Sequence, residues 1–144
     1  MACAKFAIQG FNVTSMDLSE NALHKGKNLF RQMGLEAKFA LGDLFHIPIK
    51  NEEFDLVFNQ GVMEHFRLAN LDPSNGIKEM LRVCHKEGHV IIFDAVFPKS
   101  RSHRPIAWLL RRLDRGRYMR TEKELLSLIP HNYKIINKKR ITYS

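Results

Sequence analysis

Short runs of β-forming residues alternate with helical stretches along most of the chain, and this alternation limits the possible folds more than any other feature. A helix placed between two strands gives the chain enough length to return and add a parallel neighbour. The pattern predicts an α/β domain with a mainly parallel sheet and flanking helices, formed as a single domain over residues 1–144. The predicted strands are residues 11–16, 37–41, 54–58, 89–96 and 133–142.

Capping and turn residues set the expected ends of the helices. Ser19 is a good N-cap for a helix running to about Met33, with Leu23, Leu29, Phe30 and Met33 on one face. Asp72 followed by Pro73 predicts the start of a helix that runs to about Cys84. Other residues also mark the ends of elements. Gly10 and Gly34 are expected to end helices, Gly88 to form the turn into a strand, and Thr121 to cap a helix that runs to about Ile129.

The composition is that of a folded domain. Hydrophobic residues make up 44% of the chain, which is enough to fill one core. The sequence contains no apolar run of membrane-spanning length and no recognisable secretory signal. We therefore expect a cytoplasmic protein, with Cys3 and Cys84 as reduced thiols that serve as small core residues.

Positive charge is concentrated in the last third of the chain. Residues 1–98 carry 10 Lys and Arg against 12 Asp and Glu, whereas residues 99–144 carry 13 against 3. Two interpretations stay open, namely an anionic partner or substrate and an ordinary solvated surface.

Polar side chains follow three successive predicted strands. Asp17 ends the first strand, Asp43 follows the second, and Asn59 and Gln60 follow the third. In an open parallel sheet, ligands bind at the carboxyl ends of the strands. A carboxylate there can accept two hydrogen bonds from a ribose diol, and a second can accept one from an adenine amino group. Each Asp alone could equally be a turn or capping residue.

These segments resemble class I S-adenosylmethionine-dependent methyltransferases. NVTSMDLSENAL is similar to the second-strand motif of that family, V-x-G-V-D-x-S. AKFALGDLFHIPIKNEEFDLVFNQGVMEHF resembles its Gly-Asp pair, L-P-F-type turn and F-D-x-V strand, and KEMLRVCHKEGHVIIFDAV resembles its L-R-V-L-K-P-G-G approach to a strand. The similarity covers residues 11–96 and is closest to the small-molecule, type 11-like branch.

The resemblance implies a Rossmann-like fold and a role for each matching position. Asp17 would hold the ribose hydroxyls of S-adenosylmethionine, and Leu18 would pack on the adenine. Asp43 would accept from the adenine amino group, and the backbone of Leu44 would meet the ring. Asn59 and Gln60 would lie beside the methionine part and the sulfonium.

Methyl transfer in this family is an in-line displacement that requires no metal, and holding the reactants in line supplies most of the acceleration. A base is needed only if the acceptor must lose a proton. His65 is the best candidate base and His46 the second, although His65 could instead pack against or cap a helix. The other histidines, His24, His85, His89, His103 and His131, show no metal-ligand spacing.

The sequence departs from the family at both ends. The family opens with a strand ending D-x-G-x-G-x-G, whereas the eight glycines of this chain include no G-x-G. A final antiparallel strand also has no counterpart. We therefore expect a truncated domain in which the strands at 11–16 and 54–58 lack their shared neighbour. Either they close up, or another chain fills the gap, or their exposed edges associate.

Residues 97–130 are expected to cover the acceptor side of the site. Within them, residues 106–113 form a basic amphipathic pattern with Trp108, where Ile106, Leu109, Leu110 and Leu113 would face the pocket. Four arginines beside them, Arg111, Arg112, Arg115 and Arg117, would favour an anionic acceptor.

The leading hypothesis is a methyltransferase acting on a small or medium-sized acceptor, and three alternatives stand beside it. One is a non-catalytic remnant or interaction subunit with the same fold. A dinucleotide-binding dehydrogenase shares the acidic residue after the second strand, but Gly42-Asp43 with FDLVF fits methyltransferases better. A nucleic-acid methyltransferase would use the basic segment, yet no aromatic-basic RNA module is visible.

Overall fold

Helices and strands alternate in the computed structural model, which describes residues 2–68, 71–96, 106, 109, 120–139 and 141. Contacts group the chain into two compact units, one of Met1–Gln60 with Lys78–Phe93 and one of Gly61–Ile77 with Asp94–Ser144. The elements in chain order are α1 (Ala2–Ile8), β1 (Thr14–Asp17), α2 (Glu20–Gln32), β2 (Lys38–Leu41), β3 (Phe54–Gln60), α3 (Met63–Leu68), α4 (Pro73–Val83), β4 (Cys84–Phe93) and α5 (Glu122–Leu126).

The helix ends lie close to where the capping residues predicted them. The Ser19 side chain accepts a hydrogen bond from the Ala22 amide at the start of α2. Gly10 and Gly34 follow α1 and α2 with φ of 87° and 63°, a conformation that favours glycine. Thr121 caps α5 through a reciprocal pair of bonds with Glu124.

The strands form two parallel pairs. β1 pairs with β2, with Thr14 opposite Lys38 and Asp17 opposite Leu41. β3 pairs with β4, with Leu56 opposite His89 and Gln60 opposite Phe93. No hydrogen-bonded ladder joins β1 to β3 among the described residues, so the two pairs are separate two-stranded sheets. The possibility that β1 and β3 close up by pairing directly with each other is therefore not observed among the described residues.

β4 corrects the prediction for Gly88. The strand begins at Cys84, so Gly88 lies inside it, where the register with β3 shifts between Phe54 and Leu56. A Cβ on Gly88 would lie 2.8 Å from the Asp55 carbonyl oxygen and 2.8 Å from Cys84 Sγ. Glycine therefore permits a bulge with close backbone approach, a role that replaces the expected turn.

The predicted strand at 133–142 is wrong for its described part. Residues 134–139 form neither strand nor helix. Ile135 and Ile136 are 47% and 72% exposed, so the apolar run covers no sheet. A strand needs a neighbour to accept its backbone hydrogen bonds, and none is described beside this segment.

Each unit has its own buried apolar side chains. In the first, Leu23 and Phe30 of α2 are buried with Met80 and Val83 of α4, and the Phe30 ring contacts Phe39 edge-on. Met33, expected on the same face of α2, is 44% exposed. In the second, the buried residues include Met63, Phe66 and Ile77. Among the described helices, none combines the length and apolar character that a membrane crossing requires.

Candidate ligand-binding site

Asp17 and Asp43 lie at the same edge of the first sheet. Asp17 is the last residue of β1 and stands opposite Leu41, the last residue of β2. The Gly42 amide donates to the Asp17 carbonyl oxygen at 3.2 Å, so Asp43 follows one residue beyond this contact. The structure thus brings together the two carboxylates that the sequence placed at successive strand ends.

Each of these carboxylates uses one oxygen for a local turn. Asp17 Oδ1 accepts from the Ser19 amide at 2.9 Å, and Asp43 Oδ1 accepts from the Phe45 amide at 2.9 Å. The Oδ2 atoms have no hydrogen-bond partner in the part of the chain that the structure describes. The turn role and a ligand role are therefore compatible, because a carboxylate has several lone pairs to offer.

An apolar residue follows each carboxylate. Leu18 is 68% exposed directly after β1, and Leu44 is half-buried. A large aliphatic side chain left in water next to two acceptor groups suits a flat ring with polar edges, which Leu18 can cover while the carboxylates accept its hydrogen bonds.

Asn59 and Gln60 end β3 in the second sheet of the same unit. Asn59 is only 7% exposed, and its Oδ1 has no hydrogen-bond partner among the described residues. Gln60 is exposed, and Gly61 turns the chain with a φ of 65°. A buried carbonyl oxygen without a partner costs free energy in the free protein, so a donor from a ligand would be favourable there.

His65 belongs to the second unit, on the short helix α3 that the sequence did not predict. Its side chain is exposed, and its amide donates to the Val62 carbonyl oxygen at 3.1 Å. His46, the second candidate base, is exposed in the first unit, where its amide donates to the Asp43 carbonyl oxygen at 3.0 Å.

Two residues that sequence reasoning missed hold the start of α3 by the backbone of Met63. Asp94 Oδ2 accepts from the Met63 amide at 2.7 Å, and Arg120 Nη1 donates to the Met63 carbonyl oxygen at 2.5 Å. Asp94 directly follows β4, but the predicted strand extended to Val96, so the rule that selected Asp17 and Asp43 did not identify it. Nothing local in the sequence marks Arg120, which lies 57 residues from Met63.

Glu79 and Arg82 of α4 were also missed, although their i,i+3 spacing is that of a helical ion pair. Arg82 Nε donates to Glu79 Oε1 at 2.7 Å and Nη2 donates to Oε2 at 2.8 Å. The hydrogen bond from Arg82 lowers the pKa of Glu79, and the bond to Glu79 raises the pKa of Arg82. Both also bind the backbone of the loop that carries Asp43.

Two further expectations concern metals and the acceptor cover. The described residues contain no group of three or more His, Cys, Asp or Glu side chains that could hold a metal ion.

Of the predicted helix at 106–113, the structure describes only Ile106 and Leu109, which are 73% and 51% exposed. The arginines and Trp108 of this segment lie outside the described residues, as do residues 97–105 and 110–119.

Comparisons with known proteins point to one family. A family model described as "Methyltransferase domain" matches residues 1–92. An uncharacterized methyltransferase of Schizosaccharomyces pombe is 29% identical over 94 residues, which are 61% of this chain and 32% of that protein. A SAM-dependent methyltransferase of Methanosarcina mazei superposes with a TM-score of 0.69 at 21% identity, covering 87% of this chain and 70% of the other.

The fold is shared by proteins that are named for different activities. The [4+2]-cyclase SpnF superposes with a TM-score of 0.68 at 18% identity, covering 87% of this chain and 43% of the cyclase. At such identities the likeness establishes the fold alone. The chain spans about one third of the length of the S. pombe relative and about half of the length of several of the solved structures that it resembles.

Proposed function

The chain belongs to the methyltransferase domain family, and on that basis we propose that the protein transfers a methyl group from S-adenosylmethionine to a small or medium-sized acceptor. The observation that carries the proposal is the pair of carboxylates at one edge of the first sheet. Asp17 and Asp43 end adjacent parallel strands, and each has a carboxylate oxygen with no partner among the described residues.

The adenosine half of the site is built from these strand ends. Asp17 accepts the hydrogen bonds of the ribose hydroxyls, and exposed Leu18 covers one face of the adenine. Asp43 accepts from the adenine amino group, while the Leu44 backbone meets the edge of the ring. Two carboxylates in this position also suit a donor that carries positive charge.

The methionine half lies toward Asn59 and Gln60. The buried Asn59 Oδ1 has no donor in the described part of the chain, which supports its use as an acceptor for the ligand's ammonium group. When bound, S-adenosylmethionine supplies a methyl carbon whose bond to sulfur breaks as the bond to the acceptor forms, and the sulfur keeps the electron pair. The protein's task is to hold acceptor and methyl in line and to exclude water.

His65 is the proposed base for acceptors that must lose a proton. Its side chain is exposed, and the hydrogen bond from the Met63 amide to Asp94 holds the start of the helix that carries it. An acceptor that is already nucleophilic needs no base, so a His65→Gln variant should lose activity only with acceptors, such as hydroxyl groups, that must lose a proton as they attack. The basic segment 99–144 favours an anionic acceptor, with residues 97–130 as its cover.

Adenosine binding tests the carboxylate pair directly. Asp17→Asn and Asp43→Asn keep an oxygen for the local turn bonds to Ser19 and Phe45 but replace the second oxygen with a donor. We expect both variants to retain the melting temperature of the wild type. Their adenosine Kd, measured by calorimetry, should rise by about tenfold or more, since a hydrogen bond to a charged group contributes about 1.5–3 kcal/mol.

Glu36→Gln is the matched control. Glu36 is an exposed acid just before β2, at the opposite end of the same strand from Asp43. Removing its charge changes the net charge as much as either test variant without touching the proposed site. Equal adenosine affinity in all three variants and the wild type would remove the carboxylate pair from the site.

A further inference from the structure

The loop that carries Asp43 and Leu44 has little regular structure of its own. Residues 42–53 join β2 to β3, and within them only Asp43 and His46 form an isolated antiparallel bridge. A loop of this kind orders its side chains only if other elements hold its backbone. What holds it therefore decides whether a ligand meets Asp43 in a fixed position.

Arg82 of α4 supplies most of the anchoring. Its Nη2 donates to the Ile47 carbonyl oxygen at 2.9 Å, and its Nη1 donates to the Ile49 carbonyl oxygen at 2.9 Å and to Asn51 Oδ1 at 2.8 Å. The two bonds to Glu79 complete the set. A guanidinium has five N–H donors, and all five are used here.

Glu79 completes the anchor from the acceptor side. Its Oε2 accepts from the Ile47 amide at 2.9 Å, so the Ile47 backbone is held through both its N–H and its C=O. The Ile47 side chain is 6% exposed, which adds burial to the two hydrogen bonds. The Glu79–Arg82 pair is partly buried, with side chains 19% and 30% exposed, and is screened by water less than the pairs on the surface.

The anchored part of the loop packs against the end of β1. Pro48 lies between Ile47 and Ile49, and Gly42 packs between Pro48 and Met16 of β1. A Cβ on Gly42 would lie 2.8 Å from Pro48 Cδ and 2.7 Å from Met16 Sδ. Met16 directly precedes Asp17, so the loop position set by Arg82 also sets how the Asp43 segment approaches the Asp17 strand end.

We propose that Arg82 and Glu79 are positioning residues for the adenine side of the ligand site, because they fix the loop that aligns Asp43 and Leu44 with Asp17. Neither side chain is assigned a contact with the ligand. The inference rests on the proposed function, since it concerns the same adenosine-binding edge, and it adds the residues that determine the geometry of that edge.

Arg82→Lys is the sharpest variant. Lysine keeps the positive charge but has three donors from one atom in place of a planar set of five, so it cannot bind Ile47, Ile49 and Asn51 together. At 15 °C, we expect the adenosine Kd of Arg82→Lys to rise about tenfold or more. Mutating a residue that orients a ligand-binding residue typically weakens binding by this amount. Glu79→Gln, which loses the charge but keeps an acceptor, should show a smaller rise and serves as the test if Arg82→Lys does not fold.

Lys86→Met, in β4, is the matched control, because Lys86 also contacts the same loop. Lys86 forms an exposed ion pair with Glu52 at 3.5 Å, and removing it changes one charge without altering any Arg82 donor. Its adenosine Kd should stay within about twofold of the wild-type value, as expected for an exposed pair.

A double-mutant cycle separates positioning from general stability. If Arg82 acts through Asp43, then Arg82→Lys should weaken adenosine binding much less in an Asp43→Asn background than in the wild type. Additive effects, or wild-type affinity in both Arg82→Lys and Glu79→Gln, would overturn this inference and leave the proposed function standing. A folded wild-type chain that binds no adenosine would overturn both.

Discussion

At the scale of single residues, some candidate site residues could be predicted from the sequence and others could not. Asp17, Asp43, Asn59 and Gln60 could be proposed because they end or closely follow strands, and strand ends can be recognised locally. Arg82 could not be linked to the site, because its partners Ile47, Ile49 and Asn51 lie 31 to 35 residues away and are mostly backbone atoms. The Oδ2 atoms of Asp17 and Asp43 and the buried Oδ1 of Asn59 have no partner among the described residues, and a sequence pattern does not reveal this.

Two glycines should respond differently to the same substitution. At Gly88 a Cβ would meet the Asp55 and His85 carbonyl oxygens at 2.8 and 3.0 Å, which are backbone atoms inside a strand pair and cannot move aside. At Gly42 the close atoms belong to the side chains of Met16 and Pro48, and methionine can change rotamer. We expect Gly88→Ala to lower the free energy of unfolding by about 1–3 kcal/mol or more, and Gly42→Ala by less. Urea unfolding of both variants measures this, and a larger loss at Gly42 would contradict it.

The lowered pKa of Glu79 predicts a dependence of stability on pH. A carboxylate whose pKa is lower in the folded than in the unfolded state stabilises the fold above its unfolded pKa of about 4.3, and this contribution is lost as the pH falls through the lower folded value. The cause here is first the hydrogen bond from Arg82, opposed by burial. The difference in unfolding free energy between wild type and Glu79→Gln should therefore be constant from pH 7 to about pH 5 and shrink below about pH 4. A difference that grows on acidification would contradict the assignment.

At the scale of elements, boundaries were predicted correctly where a nearby residue determines them. They were predicted wrongly where a distant residue does. Ser19, Thr121, Gly10 and Gly34 act within one turn of the chain, so α1, α2 and α5 begin or end near their predicted positions. α3 was missed because the acceptor for its first amide is Asp94, 31 residues away. The strand at 133–142 was predicted from composition alone, whereas a strand also depends on a neighbour.

The start of α3 should depend on Asp94. Replacing a side chain that accepts from the first amides of a helix costs about 0.5–2 kcal/mol, and Asp94→Ala removes such an acceptor from Met63. We expect faster hydrogen exchange at the amides of Met63 and the following turn, with little change in α2. Asp94→Asn keeps an acceptor oxygen and serves as the control. Equal protection of Met63 in both variants would show that another group satisfies its amide.

At the scale of the whole molecule, the arrangement of strands agrees with the family, and the continuity of the sheet does not. The resemblance correctly implied a Rossmann-like methyltransferase fold. The strands pair in parallel, as predicted, and they form two separate pairs because no described strand bridges β1 and β3. Within the described part of the chain, β1 and β3 each have one edge without a strand partner, so association through sheet edges stays a prediction.

The 144-residue chain should bind adenosine but gain little from the methionine part of the cofactor. Asp17, Leu18, Asp43 and Leu44 are present, whereas the sequence has no G-x-G turn to aim backbone N–H groups at a carboxylate. In calorimetric titrations of the monomer, S-adenosylmethionine should bind no more than about threefold tighter than adenosine, a difference of less than 1 kcal/mol.

Sedimentation at the concentrations of the titration provides the control, because association through strand edges would change the number of available sites. Micromolar binding of S-adenosylmethionine by a monomer, with adenosine much weaker, would contradict the prediction. It would show that another segment, such as residues 1–10, donates the missing hydrogen bonds.

The separation into two strand pairs has a consequence for how the chain folds as it is synthesised. β1, α2 and β2 lie within residues 14–41, so the first pair has all its residues before β3 at residue 54 has been translated. Loop-closure entropy rises only slowly with length, and the helix between the strands shortens the loop further. With translation adding about 5–20 residues per second, the nascent chain has seconds in which to form this pair outside the ribosome. The edge that will later carry Asp17 and Asp43 can thus be assembled co-translationally, but the loop after it stays unanchored until Arg82 emerges.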